Sequence, residues 1–273
     1  MSENISVQDK VILLTGAFGL IGKTLAKSFI AQGAKVILAD ANKKLAPQIA
    51  AEFKKLKASK QVLVCPTDVT SLSSCNNCIA LAIKKFKRID VLINNAAIDA
   101  KFDKQANKVT NSTRFENFPL PLLQKSFDVN VKGLVQITQL VIKQMLKQGH
   151  GNIINVASTY SLVAPNQSLY DFGESQQQFK PVDYVITKSV IPNLTRYIAT
   201  FYAKDNIRYN AIAPHGIFNG HYDKFLQNFA QLSPLGRMGD RNEFTGPFTF
   251  LASDASSYMT GTTLVADGGW TAW

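Results

Sequence analysis

Short apolar runs alternate along this chain with longer stretches of helical periodicity, and this alternation limits the possible folds more than any other feature. Each run is rich in Val, Ile and Leu, which is typical of a strand buried on both faces. The runs lie at residues 11–14, 35–39, 62–64, 91–93, 152–156, 208–212 and 263–265. Helical periodicity covers residues 20–32, 43–57, 71–87, 120–148 and 182–204. The pattern predicts a doubly wound α/β fold, with one parallel sheet of about seven strands between two layers of helices.

Two connections are much longer than the others, and they follow the fourth and fifth predicted strands. They cover residues 98–121 and 159–181. Connections of this length usually carry function, and open parallel sheets bind ligands at the carboxyl ends of their strands. We therefore expect substrate-binding loops near 98–121, 159–181 and 216–236, within a single domain that spans residues 1–273.

A glycine-rich turn joins the first predicted strand to the first predicted helix, and Asp40 ends the second strand. Such a turn lets the backbone approach a pyrophosphate, which then lies at the helix N-terminus. An aspartate at the end of the second strand can bind both ribose hydroxyls and repels a 2′-phosphate, which favours NAD(H) over NADP(H). The alternative is an ordinary tight turn beside a solvated aspartate. The turn residues expected to contact the nucleotide are Gly16, Phe18, Gly19, Leu20 and Ile21.

Motifs further along the chain resemble, in order, those of the short-chain dehydrogenase/reductase family, and the resemblance extends over essentially the whole length. They are Asp68-Val69, Asn94-Asn95-Ala96-Ala97, Asn130, Ser158, Tyr184 with Lys188, Pro214-His215-Gly216-Ile217 and Asp267-Gly268-Gly269. Most are typical of the family's classical branch, whereas the position of Gly19 resembles the extended branch. The resemblance implies a Rossmann-type fold. It also implies further cofactor contacts from Asp40, Asp68, Val69, Asn94, Ala96, Tyr184, Lys188, Pro214, Gly216 and Ile217.

The spacing of Tyr184 and Lys188 carries the predicted chemistry, because residues four apart share one face of a helix. A tyrosine is a poor base at neutral pH, and a neighbouring positive charge favours its anionic form. The family resemblance implies that Ser158 binds the substrate oxygen and that Asn130 anchors a water relaying protons to Lys188. The alternative is a buried tyrosine and a surface lysine at helical spacing. We expect a catalytic set of Asn130, Ser158, Tyr184 and Lys188.

Several positions depart from the family's usual pattern. Leu20 and His215 stand where glycine is usual, and His215 is either a loop residue without a chemical role or a substrate contact. The chain between Ser158 and Tyr184 is also much longer than usual. We predict a lid over the substrate that carries Glu174 and Gln176, the alternative being a surface loop used in contacts between subunits.

The net charge of +11 and the pI of about 9.5 raise the possibility of an anionic partner. The basic residues are spread along the chain and gather at predicted helix ends, so we expect neither nucleic acid nor a membrane as a partner. The first long connection offers bases and aromatic rings for a polar or anionic small-molecule substrate, or it is simply a solvated basic loop. Its residues of this kind are Lys101, Phe102, Lys104, Lys108, Arg114, Phe115 and Phe118.

The three cysteines form no disulfide framework, and no signal segment or membrane-length apolar run is visible, so we expect a cytoplasmic protein. Cys75 and Cys78 lack further ligands at metal spacing, and no metal site is predicted. The family resemblance implies a homo-oligomer, a tetramer or a dimer, with Trp270 and Trp273 at or near an interface.

The C-terminal residues and the long insert are similar to a bacterial subgroup often called flagellin modification protein A, which implies a sugar-derived substrate in surface-glycan biosynthesis. We expect an NAD(H)-dependent oxidoreductase of alcohols and ketones. Two alternatives stay open at this point. One is a sugar-nucleotide epimerase or dehydratase, indicated by the glycine spacing, and the other is a non-catalytic nucleotide-sensing protein, indicated by Leu20 and the charge.

Overall fold

The computed structural model describes residues 5–99, 113–173 and 177–273 of the chain. Within these ranges a seven-stranded sheet has the order β3-β2-β1-β4-β5-β6-β7, and every pair of neighbouring strands is parallel. This confirms the predicted fold class. The strands are β1 Val11–Thr15, β2 Lys35–Asp40, β3 Val62–Pro66, β4 Val91–Asn94, β5 Gly151–Val156, β6 Ile207–Pro214 and β7 Thr263–Ala266.

Helices connect these strands and cover both faces of the sheet. They are α1 Leu20–Ala31, α2 Ala46–Lys55, α3 Leu72–Phe86, α4 Leu120–Phe127, α5 Leu134–Gln148, α6 Val182–Tyr202, α7 Asp223–Leu232 and α8 Thr245–Ala252. Helix α1 ends just before Gly33, which adopts a φ of +84°. A capping box precedes α8, because Asp240 and Glu243 exchange hydrogen bonds with each other's backbone.

The long helix expected over residues 120–148 is interrupted by a π-helical turn at Asp128–Gly133. Such a wider turn accommodates an extra residue and is frequent at functional sites. A Cβ atom at Gly133 would lie 2.7 Å from Cγ2 of Val69, so the backbone packs closely against the chain that follows β3. Periodicity alone did not reveal this interruption.

The alternation of side chains along each strand supplies the two apolar layers. Ile12 and Leu14 pack on one face with residues of α1, α2 and α8. Leu13 and Ile153 pack on the other face with residues of α3, α5 and α6. The strand order reverses direction between β1 and β4, and the carboxyl ends of β1, β4, β5 and β6 lie along one edge. Open α/β sheets bind ligands in the crevice at such a point.

Candidate active site

The glycine-rich turn after β1 is held against the chain that follows β4. Gly16 has a φ of +61°, and a Cβ atom there would lie 2.8 Å from Cα of Ala96. Nδ2 of Asn95 donates hydrogen bonds of 3.0 Å to the carbonyl oxygens of Thr15 and Gly16. The structure therefore brings the predicted cofactor residues Gly16 and Ala96 into contact, and it explains why position 16 is a glycine.

Gly19 differs from Gly16, because its backbone does not require a glycine. It caps α1 with a φ of −73°, and a Cβ atom there would meet only the oxygen of Gly16, at an ordinary 3.4 Å. No side chain caps the helix at this position, so its first N–H groups remain available to an anion. The turn fits a pyrophosphate, since a small residue and free N–H groups meet at one place. Leu20 and Ile21, both partly buried, begin the helix.

Asp40 bridges the turn and the end of β2. Its Oδ2 accepts a hydrogen bond of 2.9 Å from the N–H of Phe18, and its Oδ1 accepts one of 2.9 Å from Asn42. These two bonds fix the orientation of the carboxylate. Each oxygen can accept one more hydrogen bond, which is what two ribose hydroxyls would supply.

Asp68 and Val69, the predicted adenine contacts, form a turn after β3. Oδ1 of Asp68 accepts hydrogen bonds from the N–H and the hydroxyl of Thr70, at 2.9 and 2.7 Å. The carbonyl oxygen of Val69 accepts one of 2.7 Å from Gln136 on α5. The turn is thus anchored at the same sheet edge as the glycine-rich turn. Contact of these two residues with adenine stays a prediction.

Asn94 lies at the end of β4, but its side chain points into the protein. Its Nδ2 donates hydrogen bonds of 2.8 Å to Thr138 on α5 and 2.9 Å to Oδ1 of Asn155 on β5. Asn155 in turn donates one of 3.0 Å to the hydroxyl of Tyr209 on β6. These buried polar groups join three strands to one helix. Contact of Asn94 with a cofactor stays a prediction.

The structure brings Ser158, Tyr184 and Lys188 together at the carboxyl end of β5. Ser158 follows β5, and its side chain is hydrogen-bonded to that of Tyr184 on α6. Nζ of Lys188 lies 5.7 Å from the centre of the Tyr184 ring and donates a hydrogen bond of 2.6 Å to the carbonyl oxygen of Val156. Lys188 is only 3% exposed, so this is a buried cation beside a tyrosine rather than a surface lysine.

Burial shifts the pKa values of both groups. It raises the pKa of the Tyr184 hydroxyl, the negative charge of Asp99 raises it further, and the hydrogen bond with Ser158 opposes the shift. Burial lowers the pKa of Lys188 to about 8, while the charge of Asp99 opposes that change. Lys188 therefore still carries a proton at neutral pH and can stabilise an anionic Tyr184.

Asn130 lies in the π-helical turn and holds the chain that follows β4. Its Oδ1 accepts a hydrogen bond of 2.8 Å from the N–H of Ile98, and its Nδ2 donates one of 2.9 Å to the carbonyl oxygen of the same residue. Nδ2 also donates to the hydroxyl of Thr187 on α6 at 3.0 Å. Asn130 thus fixes Ile98 next to α6, and its expected role as a water anchor stays a prediction.

His215 follows Pro214 at the end of β6, and it is enclosed by aromatic rings. Its ring centre is 4.3 Å from that of Trp270 and stacks at 5.3 Å on Phe229. Burial lowers the pKa of His215 to about 4, so the ring is neutral at pH 7. Within the described part of the chain, its Nε2 has no hydrogen-bond partner. An unpaired buried nitrogen is costly, which favours a ligand contact over a passive loop role.

The other two residues of this segment stay close to the same edge. Gly216 has a φ of +54°, and a Cβ atom there would lie 2.1 Å from Cζ of Phe229, so this position requires glycine. Ile217 forms a parallel bridge with Gly239.

Part of the insert before Tyr184 packs against the aromatic residues around His215, and its role as a lid stays a prediction. Leu169 and Tyr170 pack with Phe229, Met238 and Trp270. The hydroxyl of Tyr170 lies 3.0 Å from that of Tyr160, which also contacts the His215 ring edge-on. The proposed lid residues Glu174 and Gln176 lie outside the described residues, as do Lys101, Phe102, Lys104 and Lys108 of the first long connection.

Two charged residues near Tyr184 were missed by the sequence reasoning. Nζ of Lys180 lies 4.4 Å from the centre of the Tyr184 ring, and it pairs with Oδ2 of Asp99 at 2.5 Å. Lys180 stands four residues before Tyr184, but it precedes the start of α6 at Val182, so the helical spacing that identified Lys188 does not apply to it. Asp99 left no signal either, because 81 residues separate it from Lys180.

In residues 5–99, 113–173 and 177–273, no three His, Cys, Asp or Glu side chains gather as metal ligands would. Cys75 and Cys78 are buried free thiols on α3. No helix within those ranges is both long and apolar enough to cross a membrane.

Comparisons with known proteins agree with this geometry. A family model described as enoyl-(acyl carrier protein) reductase matches residues 16–271. The 7alpha-hydroxysteroid dehydrogenase of Bacteroides fragilis is 31% identical over 97% of this chain and 95% of its own length. The post-translational flagellin modification protein A of Campylobacter coli is 30% identical over 97% and 99%.

Solved structures extend the same comparison to three dimensions. A short-chain dehydrogenase from Leptospira borgpetersenii, solved with bound NAD+, has a TM-score of 0.84 at 29% identity, and the match covers 99% of this chain and 96% of that one. The family predicted from the ordered motifs is thereby confirmed. The chain belongs to the short-chain dehydrogenase/reductase family and is an oxidoreductase that acts on CH–OH and C=O groups.

Proposed function

We propose that this protein is an NAD(H)-dependent oxidoreductase that transfers a hydride between nicotinamide and an alcohol or ketone. The observation that carries the proposal is the convergence of Ser158, Tyr184 and buried Lys188 at the sheet edge that also holds the glycine-rich turn. We further propose that residues 1–273 form a single domain, with the site between the turn and the long connections.

The residues at the glycine-rich turn and at the end of β2 fit a dinucleotide. Gly16 leaves no room for a side chain, α1 begins without a side-chain cap, and the Asp40 carboxylate is oriented by two N–H groups. These features fit a pyrophosphate and an adenosine ribose. The carboxylate of Asp40 disfavours the 2′-phosphate of NADP, which supports a preference for NAD. When bound, nicotinamide supplies or accepts the hydride.

The side chains around Tyr184 transfer the proton and bind the substrate oxygen. The Tyr184 hydroxyl donates a proton to the substrate oxygen during reduction, and the Tyr184 anion accepts the proton of the substrate hydroxyl during oxidation. Ser158, hydrogen-bonded to Tyr184, is placed to bind the same oxygen. The positive charge of Lys188 stabilises the anion of Tyr184, and Asn130 holds Ile98 and α6 in position around them.

A sugar-derived substrate, used in bacterial surface-glycan biosynthesis, is our proposal for the reacting molecule. The unpaired Nε2 of His215, whose ring contacts Tyr160 and Trp270, could form a hydrogen bond with a substrate hydroxyl. The flagellin modification protein A of Campylobacter coli supports this choice, whereas the steroid dehydrogenase of Bacteroides fragilis supports an apolar polycyclic substrate.

The first test is a fluorescence titration with NADH and NADPH, in the wild-type protein and in Asp40→Ala. We expect tighter binding of NADH than of NADPH, and loss of this preference in the variant. If neither cofactor binds, the alternative of a non-catalytic protein becomes the favoured one. Tightly retained NAD without net cofactor turnover would favour the sugar-nucleotide epimerase or dehydratase instead.

The second test is a substrate panel with NAD+ and NADH, in which sugar-derived alcohols and ketones are compared with 7α-hydroxysteroids. Tyr184→Phe is the matched control, because it removes one oxygen and leaves the ring. Turnover of the sugar-derived compounds that is lost in Tyr184→Phe is the expected result. Turnover of steroids alone would overturn the substrate assignment while retaining the reaction type.

We also propose a cytoplasmic homo-oligomer, a tetramer or a dimer, that needs neither nucleic acid nor a membrane. Cys65, Cys75 and Cys78 are free and buried, as expected in a reducing compartment. Helix α6 exposes a groove with Ile186 on its side and Tyr197 at its end, and Tyr197 is 62% exposed. Light scattering that finds only monomers would contradict this assignment.

A further inference from the structure

A second lysine, Lys180, lies on the ring of Tyr184, closer than Lys188. Its Nζ is 4.4 Å from the ring centre, compared with 5.7 Å for Nζ of Lys188. The side chain of Lys180 is only 8% exposed. A desolvated ammonium is attracted to the face of an aromatic ring, and the attraction grows when the ring carries a negative charge.

Two contacts fix the ammonium of Lys180 in this position. Oδ2 of Asp99 pairs with its Nζ at 2.5 Å, and Oε1 of Gln167 accepts a hydrogen bond of 2.9 Å from its backbone N–H. Gln167 belongs to the insert, in a short 3-10 helix at Gln167–Tyr170. Lys180 is therefore held at its backbone and at its charged end, and its position over the ring does not depend on a freely rotating side chain.

Asp99 is itself positioned by a residue of the proposed catalytic set. Asn130 binds both backbone polar groups of Ile98, at 2.8 and 2.9 Å, and Asp99 is the next residue. The same two connections also meet through the guanidinium of Arg114, whose Cζ lies 5.6 Å from the ring centre of Phe179. The pair of Asp99 and Lys180 thus joins the chain after β4 to the end of the insert, directly over Tyr184.

The charges around Tyr184 have opposing effects on its anionic form. Lys188 on α6 and Lys180 ahead of α6 are positive, and Asp99 after β4 is negative. Tyr160 after β5 contributes a second phenol, and Ser158 a hydrogen bond. Asp99 alone would oppose ionisation of Tyr184, because its negative charge raises the pKa of the hydroxyl. Lys180, in contact with both, offsets that opposition.

We infer that Lys180 is a positioning residue for proton transfer at Tyr184: its ammonium stabilises the tyrosinate from the ring face, and Asp99 holds it there. This inference rests on the proposed function, since it concerns the proton that Tyr184 moves. The insert then has a role besides the proposed lid, because it places the ammonium of Lys180 next to Tyr184.

Two substitutions test the inference, because they should shift the pH midpoint of kcat in opposite directions. Lys180→Met removes the cation, so the pH midpoint of kcat for alcohol oxidation with saturating NAD+ should move to higher pH by about half to one unit. Asp99→Asn removes the anion but keeps a side-chain oxygen that can accept a hydrogen bond from Lys180, so the midpoint should move to lower pH. Lys180→Arg should keep the wild-type midpoint. Lys204→Met, which removes an exposed lysine beyond α6, is the control for net charge and should also leave it unchanged.

A second readout does not depend on turnover. Tyrosine labelled with ¹³C at Cζ reports ionisation of each phenol by NMR, and Tyr184→Phe identifies the signal of Tyr184. The titration midpoints should follow the order Asp99→Asn, wild type, Lys180→Met, from low to high pH. If no substrate is ever turned over, this order still tests the inference separately from the proposed function.

A purely structural tie between the two connections would give a different result. Lys180→Met and Asp99→Asn would then lower kcat alike, with no shift of the kinetic midpoint and no change in the Tyr184 signal. Shifts of both variants in the same direction would also overturn the inference. Circular dichroism of each variant separates these outcomes from misfolding.

Discussion

Substitution of three glycines by alanine separates the glycine that the fold needs from the glycine that the cofactor needs. Gly16 has a φ of +61°, and a Cβ there would lie 2.8 Å from backbone Cα of Ala96. Gly149 has a similar φ of +74°, but nothing lies within 4 Å of its Cβ position. Gly19 has a φ of −73°, and a Cβ atom there would make one ordinary contact of 3.4 Å with the oxygen of Gly16. The three sites therefore combine backbone strain and steric overlap in different ways.

The expected stability losses follow from these two contributions. A left-handed alanine costs about 1 kcal/mol, which is the whole effect expected for Gly149→Ala. Overlap with a backbone atom that cannot rotate away adds about 1–3 kcal/mol in Gly16→Ala. For a chain of this size, about 2–4 °C of melting temperature correspond to 1 kcal/mol, so Gly16→Ala should melt about 5–15 °C below wild type. Gly19→Ala should stay within about 0.5 kcal/mol of wild type.

Thermal unfolding followed by circular dichroism measures these differences, and NADH fluorescence gives the matching affinities. We expect Gly16→Ala to lose both stability and NADH binding, and Gly149→Ala to lose some stability but no binding. Gly19→Ala should keep its stability and lose binding, because the pyrophosphate would occupy the space of the added methyl group. The reasoning is refuted if Gly16→Ala is no less stable than Gly149→Ala, or if Gly19→Ala binds NADH as wild type does.

Three further outcomes are expected. Tyr184→Phe should lower kcat about 10²–10⁴-fold and leave NADH affinity unchanged, and a smaller loss would assign the proton transfer to another group. His215→Phe should raise KM with little change in kcat or in melting temperature if Nε2 binds substrate, and unchanged kinetics would make His215 a packing residue. Burial lowers the pKa of Lys188 from 10.5 in the unfolded chain to about 8 in the folded protein. Between these two pH values the unfolded chain therefore binds more protons than the folded protein. Urea unfolding should therefore show stability that rises from pH 8 to 10 in wild type relative to Lys188→Met, and parallel pH curves for the two proteins would argue that Lys188 is not desolvated.

The strands and the contact between Tyr184 and Lys188 were predictable because each has a local signal. Val11 to Leu14 form an uninterrupted apolar run, and this occurs only where a strand is covered on both faces. Tyr184 and Lys188 share a helix, so their spacing alone brings them together. Their meeting with Ser158 could be predicted only from the family resemblance, since a separate strand carries that residue.

Contacts between distant segments were not predictable. Asp99 and Lys180 meet because Asn130 holds Ile98, and this depends on a π-helical turn that periodicity does not reveal. The inward orientation of the Asn94 side chain was also not predictable, because alternation along a four-residue strand does not show on which face its last side chain lies. In each case the deciding interaction is tertiary.

The buried polar row of Asn94, Asn155 and Tyr209 has a consequence for how the sheet assembles. Because side chains alternate faces, a shift of β5 by a single residue would carry Asn155 to the opposite layer. The amide of Asn94 and the hydroxyl of Tyr209 would then lose a partner in an apolar interior, at about 1–3 kcal/mol for each group. Apolar strands alone would tolerate many alignments, whereas this row admits one. These side chains therefore favour the native register of the strands during folding, before any ligand is present.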